Sequence, residues 1–352
     1  MRYRILFTLP NFKTAGSQYV LKSVALGLNT SQFEAFVSVE SYPELIPEEI
    51  PLTHRLRQQN TKSVKKDALH FSDLLKKNDI HLVHSWDYKS NFYEALGCRL
   101  ARVPYVYTKK NASWSKRWLV KSILAKKIAY DNPSMKQRFF SGWFIKYKIQ
   151  FIPHGVDIKR FRPLKNVQKT TNFSLCCVGN INANKNQKFL IEILHHLPKE
   201  IELYLYGKAE PDYLRLLKNR VKELQLGNRV YFKSFVDQSK LPKVINQHWV
   251  MALTSFKEGL PVSVLEGLAC GLPVLCSDSG GGTQYIFEKQ MGGKCLPIDD
   301  KKAAINYLMS LYMDKKKYKE TSMEAKELAR THFSLDKEID AYEQLYLKML
   351  PS

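Results

Sequence analysis

Two glutamates stand on either side of a turn that leads into a short apolar segment. Glu258 and Glu266 are eight positions apart in EGLPVSVLEGLACGLPV, and Gly259 and Pro261 follow the first of them. This pattern predicts a turn and then a helix, whose first backbone N–H groups favour an anion. Ionised carboxylates accept hydrogen bonds from hydroxyl groups. The segment therefore predicts a site for a ligand with phosphate in its middle and polyols on both sides, which describes a nucleotide sugar.

Three motifs in this chain resemble those of the family 4 retaining glycosyltransferases, which have the GT-B fold. The family pattern E-G-x-P, four residues, E-[AG]-x-A-x-G-x-P-V is met by Glu258, Gly259, Pro261, Glu266, Gly267, Ala269, Gly271, Pro273 and Val274. FIPHGVDIKRFRP resembles the family's interdomain crossing, and CVGNINANKNQKFLIEIL resembles its V-G-R-L, K-G and helix motif. The resemblance covers nearly the whole chain. It implies an α/β protein of the bacterial envelope polysaccharide type, with two Rossmann-like parallel-sheet domains facing each other across a cleft.

The length and composition agree with two domains. At 352 residues the chain exceeds what one hydrophobic core usually supports. Its hydrophobic share of 44% and charged share of 25% are those of a globular protein. We expect an acceptor-side domain over residues 1–160 and a nucleotide-sugar donor domain over residues 161–334. The resemblance implies that the last helix, within 335–352, returns to the first domain.

Apolar runs of strand length alternate with helical patterns, as in parallel sheets. The first half predicts strands at 3–9, 35–39, 80–84, 105–108 and 149–152. The second half predicts strands at 173–178, 202–206, 229–232, 250–253 and 274–276, and final helices at 301–313, 318–331 and 336–350. Because ligands bind beyond the carboxyl ends of such strands, the cleft between the domains is the expected site.

The resemblance assigns roles to the residues of the glutamate motif. It implies that Glu258 contacts the hydroxyls of the donor sugar and takes part in catalysis, while Glu266 holds the ribose hydroxyls of the nucleotide. Gly259, Leu260 and Pro261 form the donor-binding turn between them. For each glutamate, a solvated surface position is the alternative.

The diphosphate site departs from the family pattern. Lys185 occupies the position of the lysine that neutralises the diphosphate, a task that suits a compact ammonium. Asn180 stands where the family usually has an arginine, and Asn186 replaces the glycine after the lysine. Either Lys185 acts alone on the diphosphate, or Lys208 supplies the second cation. Lys110 stands where many members have a histidine at the active site.

Two residues of the first half are further candidates. His84 lies at the carboxyl end of a predicted strand and resembles a family histidine position, so we expect it near the reacting groups, with a structurally satisfied histidine as the alternative. Gly16 follows the first strand, where a missing side chain would admit a phosphate; a plain turn glycine is the alternative. Retention in this family is explained by front-face attack in which the leaving phosphate takes the acceptor proton, so no protein base is required.

We expect neither a metal ion nor another cofactor. The chain has no Asp-x-Asp triplet, which argues against the metal-dependent glycosyltransferase fold. Helix N-termini and lysines would neutralise the diphosphate instead. The expected substrate is a nucleotide-diphosphate sugar, with uridine favoured over guanosine as its base.

The formal net charge of +22 is concentrated between residues 109 and 148. Eleven basic residues against one acid give this segment +10, and they are Lys109, Lys110, Lys116, Arg117, Lys121, Lys126, Lys127, Lys136, Arg138, Lys146 and Lys148. Aromatic residues are interleaved with them: Trp114, Trp118, Tyr130, Phe139, Phe140, Trp143, Phe144 and Tyr147. This mixture favours an anionic membrane surface, where each basic group contributes ~1 kcal/mol and aromatics settle at the headgroups.

The basic residues of this segment could also serve only to keep the protein in solution. A helical projection of residues 114–130 does not separate apolar from basic positions, which disfavours an amphipathic helix. Solubilising charge is therefore the alternative to membrane binding. No nucleic-acid partner is expected, because no recognisable nucleic-acid module accompanies the basic residues.

The location follows from composition. The six cysteines lack metal-binding spacing, which indicates a reducing cytoplasm. No apolar run approaches the ~18 residues of a spanning helix. The first residues predict a strand rather than a signal peptide.

The favoured function is therefore a cytoplasmic retaining hexosyltransferase, of enzyme class EC 2.4, peripheral on the inner membrane face. It would move a sugar from a nucleotide-diphosphate donor to a lipid-linked or cell-envelope glycan. The alternatives are a binding protein with a degenerate GT-B fold and a nucleotide-sugar epimerase of the same fold.

Overall fold

The chain forms two compact units. The computed structural model describes residues 2–12, 16–40, 46–61, 63–86, 91–110 and 113–351, with the backbone alone at residues 16 and 17. Unit 1 comprises Met1–His154 with Leu335–Ser352, and unit 2 comprises Gly155–Ser334. The chain thus passes between units a few residues before the boundary expected at residue 160.

Unit 1 contains a seven-stranded sheet in which every pairing is parallel. Its strands are β1 (Tyr3–Leu9), β2 (Phe33–Val39), β3 (Arg55–Arg57), β4 (Leu82–Ser85), β5 (Tyr105–Lys109), β6 (Lys127–Tyr130) and β7 (Ile149–Phe151), in the order β3-β2-β1-β4-β5-β6-β7. Its helices before the chain enters unit 2 are α1 (Gly16–Gly27), α2 (Val64–Lys77), α3 (Tyr93–Ala101), α4 (Lys116–Leu124), α5 (Ser134–Phe139) and α6 (Trp143–Lys146). A 3₁₀ turn covers Leu52–His54.

Unit 2 contains a six-stranded parallel sheet in the order β10-β9-β8-β11-β12-β13. Its strands are β8 (Phe173–Val178), β9 (Ile201–Tyr206), β10 (Val230–Lys233), β11 (Val250–Leu253), β12 (Val274–Ser277) and β13 (Gly293–Leu296). A 3₁₀ turn over Ala183–Lys185 precedes its helices, which are α7 (Gln187–Leu194), α8 (Pro211–Glu223), α9 (Leu241–Asn246), α10 (Val262–Ala269), α11 (Gly282–Ile286), α12 (Lys301–Met313) and α13 (Lys315–His332).

The last helix, α14 (Leu335–Leu347), belongs to unit 1. Its Tyr342 and Tyr346 are fully buried, and the Tyr346 ring packs edge-on against Phe7 of β1. A Cβ at Gly27 of α1 would press on the flexible end of the Ile339 side chain, so α1 and α14 are in close contact here. The aromatic face of α14 is therefore part of the unit 1 core.

Helices cover both faces of the unit 2 sheet, and its strands are apolar on both sides, as expected for a buried parallel sheet. Along β8, Cys176 packs into the core that contains α10 and α13. Leu175 and Cys177 pack into the opposite core, with α7 and α12. The two adjacent cysteines therefore point to opposite faces of the sheet, and all six cysteines are free thiols.

The strand predictions were most accurate for continuous apolar runs. The strands predicted at 3–9, 173–178 and 250–253 and the helix at 301–313 are observed with those bounds. The helices predicted at 318–331 and 336–350 are Lys315–His332 and Leu335–Leu347. Strands β3, β6 and β13 were missed because they are short and begin with arginine, lysine or glycine, which weakens their hydrophobic pattern.

Candidate active site

The order of strands in unit 2 reverses at β8, which lies between β9 and β11. In parallel α/β sheets the crevice beyond the carboxyl ends of the strands at such a point is the usual ligand site. The loop after β8 leads to the 3₁₀ turn with Lys185, and the loop after β11 contains Glu258. The reversal therefore brings two separate sequence motifs together.

Lys185 and Glu258 form an ion pair in this crevice. The Lys185 Nζ lies 2.5 Å from Oε1 of Glu258. The two side chains are 21% and 13% exposed, so both are shielded yet reachable. The Asn182 side chain accepts a hydrogen bond from the Lys185 backbone N–H at 3.1 Å and thereby caps the 3₁₀ turn. The pair places a cation and a hydroxyl-binding carboxylate side by side.

Backbone contacts hold the Glu258 loop in place. The Phe256 N–H donates to the Asn184 carbonyl at 2.8 Å, and the Asn184 side-chain amide donates to the Lys257 carbonyl at 3.0 Å. On the other side, the Glu258 N–H donates to the Ser279 carbonyl at 2.9 Å. The loop is thus fixed between the 3₁₀ turn and the glycine-rich loop after β12.

The turn after Glu258 leads directly into α10. Leu260 is buried, and Pro261 is the residue before the first helical position. A side chain at Gly282 would collide with the Gly259 carbonyl, which explains the glycine at the start of α11. The first turn of α10, where the motif predicts an anion site, therefore begins four residues after Glu258.

The two other proposed diphosphate residues lie at neighbouring strand ends. Asn180 follows β8 and Lys208 follows β9, and both are exposed. A side chain at Gly207 would collide with the Gly179 backbone, so glycine lets these two strand ends approach each other. The Lys208 carbonyl accepts a hydrogen bond from the Ile181 N–H at 2.9 Å. Lys208 therefore lies beside the loop that contains Asn180.

The replacement of the family glycine by Asn186 has a backbone explanation. Asn186 has a φ of 49°, in the left-handed region, between the 3₁₀ turn and α7. Asparagine tolerates this conformation better than most residues with a side chain. Its carbonyl also accepts a hydrogen bond from the Thr254 hydroxyl at 3.1 Å. The substitution is therefore compatible with the local backbone of the family motif.

Glu266 lies in a different environment from Glu258. It is 4% exposed, and the Gln238 side-chain amide donates to its Oε1 at 2.9 Å. Burial raises the pKa of Glu266 to about 7, although Gln238 and the charge of Arg160 oppose the rise. Glu266 is therefore only partly ionised at neutral pH, whereas accepting hydrogen bonds from hydroxyls favours its ionised form. The Arg160 guanidinium in turn donates a hydrogen bond to the backbone carbonyl of Gln238.

In unit 1, His84 is a buried and fully bonded residue. It is 0% exposed, with Nδ1 2.6 Å from the Tyr346 hydroxyl and Nε2 2.7 Å from the Thr108 hydroxyl. Burial, and secondarily the charge of Lys110, lowers its pKa well below the usual range. Both ring nitrogens are occupied within unit 1, which corresponds to the alternative of a structurally satisfied histidine.

Lys110 belongs to a buried cluster of charged residues at the carboxyl ends of β5, β6 and β7. Its Nζ lies 3.0 Å from His154 Nε2, which is also 3.0 Å from Asp131 Oδ2. His154 Nδ1 lies 3.0 Å from Glu338 Oε1 of α14. Burial lowers the pKa of Lys110 to about 8, although Asp131 and Glu338 oppose this. Burial and Lys110 also lower the pKa of His154, but Glu338 and Asp131 outweigh them and raise it.

The predicted role of Gly16 depends on a loop outside the described residues. Gly16 is the first residue of α1, and residues 13–15 before it are not described. Its contact with a phosphate stays a prediction. The described residues contain no group of three or more His, Cys, Asp and Glu side chains suited to a metal ion. Metal independence likewise stays a prediction.

The basic aromatic segment is partly a core element. Lys109 and Lys121 are buried, so they do not belong to an exposed basic surface. The described aromatic residues are divided between core and surface, and the buried ones are Trp118, Tyr130, Phe139 and Phe140. Only part of the segment can therefore contact a membrane. In the part of the chain that is described, no helix is both long and apolar enough to cross one.

Sequence patterns gave no sign of several contacts at these sites. Gln238 and Arg160 adjoin Glu266, and Asp131, His154 and Glu338 surround Lys110, but each group comes from distant parts of the chain. The one usable signal was the histidine in FIPHGVD, where the family usually has asparagine. It marks a position whose side chain contacts Lys110, Asp131 and Glu338.

Two family models match this chain. Residues 159–328 match the model described as glycosyl transferases group 1, and residues 14–160 match the model described as glycosyltransferase family 4. Among curated relatives, a UDP-Gal:alpha-D-GlcNAc-diphosphoundecaprenol alpha-1,3-galactosyltransferase of Escherichia coli is 24% identical over 316 residues. That alignment covers 81% of this chain and 80% of the relative. Further curated relatives are covered over 33% to 52% of their own length.

Solved structures resemble the whole chain. HepE of Anabaena in complex with UDP and glucose has a TM-score of 0.83 and 19% identity, with 99% of this chain and 100% of that chain covered. A glycosyltransferase of Rickettsia africae has a TM-score of 0.86 and 16% identity, with 99% and 98% covered. At these identities the likeness shows the fold. The two family models, which together span residues 14–328, and the two parallel-sheet units identify the chain as a GT-B glycosyltransferase of the family 4 type.

Proposed function

We propose that the protein transfers a hexose-type sugar, with retention of configuration, from a nucleotide-diphosphate sugar to a lipid-linked or cell-envelope glycan. The observation that supports this most strongly is the Lys185–Glu258 pair at the strand reversal of unit 2. One ligand that satisfies both partners has a diphosphate next to a sugar. UDP is the favoured nucleotide, because the Escherichia coli relative is named for UDP-Gal and the Anabaena structure holds UDP.

Donor binding requires the Lys185–Glu258 pair to change partners. In the structure, the Lys185 ammonium neutralises Glu258. A bound diphosphate offers a stronger competing anion, so Lys185 would turn toward phosphate oxygens. The Glu258 carboxylate could then accept hydrogen bonds from sugar hydroxyls. The ion pair thus keeps both charges compensated until the donor arrives, which limits the cost of holding them in a shielded crevice.

The transfer step needs no protein base. The bond between the anomeric carbon and the phosphate oxygen breaks while a bond to the acceptor oxygen forms on the same face. The acceptor proton passes to the leaving phosphate. Lys185, the first-turn N–H groups of α10 and, to a smaller degree, Lys208 would stabilise the charge that develops on that phosphate. His84 takes no part in this scheme, because both of its ring nitrogens are bonded inside unit 1.

The acceptor class rests on a relative and on charge. The name of the Escherichia coli relative specifies a diphosphoundecaprenol-linked acceptor. A basic protein with +22 net charge is suited to an anionic membrane on which such an acceptor would lie. We therefore propose a peripheral position on the inner membrane face, with a polyprenyl-diphosphate glycan as the acceptor class.

The test is a transfer assay with purified protein, a panel of UDP-sugars and GDP-sugars, and a short polyprenyl-diphosphate glycan. Mass spectrometry should show one hexose added to the acceptor, and NMR should show that its anomeric configuration matches that of the donor. Addition with inverted configuration would overturn the retaining mechanism. Donor isomerised without acceptor would establish the epimerase, and donor bound but unchanged with every acceptor would establish a binding protein.

A further inference from the structure

Helix α4 exposes apolar side chains and buries polar ones. Leu119, Val120 and Ile123 are exposed, whereas Lys121 and Ser122 are buried. Surface helices of globular proteins normally have the opposite arrangement, with the apolar stripe against the core. The span 114–130 does not read as one amphipathic helix because α4 covers only Lys116–Leu124 and β6 begins at Lys127.

The buried side of α4 fixes this orientation. The Lys121 ammonium lies 5.3 Å from the ring centroid of Tyr107 and 5.1 Å from that of Trp118. The Ser122 hydroxyl donates to the Trp118 carbonyl at 2.7 Å and lies 2.6 Å from the Tyr107 hydroxyl. Rotating the helix to bury its apolar side would break these contacts and leave buried polar groups without hydrogen-bond partners. The buried contacts of Lys121 and Ser122 therefore keep the apolar side of α4 exposed.

A second exposed apolar group lies next to α4. Trp143 and Phe144 of α6 are each 65% exposed, with ring centroids 3.8 Å apart, and Tyr147 is 72% exposed. Helices α4 and α6 pack against each other. The Lys148 ammonium, directly after Tyr147, donates to the Ile123 carbonyl at 2.6 Å. This contact ties the segment after α6 to the end of α4, so the two exposed apolar groups are neighbours in the structure.

The stretch that carries both apolar groups, residues 113–151, has exposed basic residues and no exposed acid. Among residues 113–151, all of which are described, the exposed basic residues are Lys116, Arg117, Lys126, Lys136, Arg138 and Lys146. The one acidic residue in that stretch, Asp131, is buried in the Lys110 cluster. The exposed charge here is therefore entirely positive.

We propose that a docking face on this part of unit 1 inserts into the headgroup layer of a bilayer containing anionic lipid. The docking face is formed by the six exposed basic residues and by Leu119, Val120, Ile123, Trp143, Phe144 and Tyr147. Exposed aromatics inside a basic surface suit that interface, where rings settle among headgroups and cations meet anionic lipid. Solubilising charge does not account for the aromatics, since an exposed apolar cluster favours association. A second copy would oppose two positive surfaces. This docking face rests on the membrane-bound acceptor proposed above and would hold the enzyme at the membrane where that acceptor lies.

Vesicle binding separates the apolar from the electrostatic contribution. Neutral phosphatidylcholine vesicles and vesicles with about 30% phosphatidylglycerol would be sedimented with the full chain. Trp143→Ser with Phe144→Ser keeps every charge. It should weaken binding to anionic vesicles roughly tenfold or more, because two rings that would be buried in the bilayer are lost. Replacing Lys116, Arg117, Lys126 and Lys146 with Gln should weaken it by nearly three orders of magnitude, since each of the four basic groups contributes about fivefold.

Matched controls show whether the effect is local. Leu52→Ser with Met313→Ser removes two exposed apolar side chains elsewhere, and Lys315, Lys316, Lys317 and Lys319 changed to Gln remove four exposed charges from α13. Both controls should retain most of the vesicle binding. Trp143 fluorescence should shift to shorter wavelength with anionic vesicles, and this shift should disappear in Trp143→Phe.

The contrary outcomes are equally definite. Equal losses in the α13 control and the docking-face charge variant would show that the charge is generic. Unchanged vesicle binding in the double Ser variant would overturn insertion. If that variant instead turned a dimer into a monomer in sedimentation without altering vesicle binding, the surface would be a contact between copies. UDP binding by each variant, measured separately, would distinguish these failures from failure of the proposed transferase activity.

Discussion

Both units have a lysine paired with a carboxylate beyond a strand end, but the two pairs differ in access. In unit 2, the Lys185 and Glu258 side chains are 21% and 13% exposed and lie at the strand reversal. In unit 1, Lys110, Asp131 and His154 are 3% to 4% exposed, and Glu338 of α14 closes the cluster. The first pair can exchange its partner for a ligand, whereas the second is satisfied within its own unit. Similar chemistry thus serves binding in one place and structure in the other.

The largest expected effect is on the structural cluster. Glu338→Ala leaves His154 and Lys110 buried with one carboxylate fewer and should lower the free energy of unfolding by about 3 to 5 kcal/mol. Urea denaturation followed by fluorescence would measure it. Asp340→Ala, at an exposed position of the same helix, is the control and should change stability by about 0.5 kcal/mol or less. Equal effects in the two variants would contradict a structural role for the cluster.

The corresponding change in the donor crevice should affect turnover rather than folding. Glu258→Gln removes the negative charge that supports the sugar as positive charge develops at its anomeric carbon. We expect kcat to fall on the order of a hundredfold, with little change in unfolding midpoint. Steady-state kinetics with saturating donor would measure it. Wild-type turnover would exclude Glu258 from the reacting region.

Lys185→Ala should act on binding of the diphosphate. Loss of a hydrogen bond to a charged group costs ~1.5 to 3 kcal/mol, so UDP affinity should fall roughly ten- to hundredfold. Affinity for uridine should change little, and Lys208→Ala should show the same preference to a smaller degree. Calorimetric titrations would measure both ligands. Equal losses for UDP and uridine would mean that neither lysine meets phosphate.

The smallest effect is a pH dependence that distinguishes the two glutamates. Because the pKa of free Glu266 is raised to about 7, the residue is mostly protonated at pH 6 and mostly ionised at pH 8. Ribose hydroxyls would bind the ionised form, so donor binding releases a proton and UDP-sugar affinity should be about tenfold weaker at pH 6 than at pH 8. The measurement is Kd against pH. Glu266→Gln should bind more weakly and lose this dependence; an unchanged pH profile in that variant would assign the titration elsewhere.

Sequence patterns predicted the donor crevice because its residues lie in short contiguous motifs at strand ends. Glu258 and Lys185 each lie in a loop whose position follows from the strand before it. Contacts between distant segments were not accessible in the same way. His84 is bonded to Tyr346, which is 262 residues away along the sequence. The buried ammonium of Lys121 lies over two aromatic rings. Neither environment leaves a local pattern.

The most direct test of the central claim is the stabilisation of the wild-type chain by uridine, UDP and UDP-sugars. A ligand at about 100 times its Kd should raise the free energy of unfolding by ~2.7 kcal/mol. If the Lys185–Glu258 crevice binds a nucleotide-diphosphate sugar, UDP and at least one UDP-sugar should stabilise the protein clearly more than uridine at equal concentration. Equal stabilisation by uridine and UDP, or none by any nucleotide, would contradict the account.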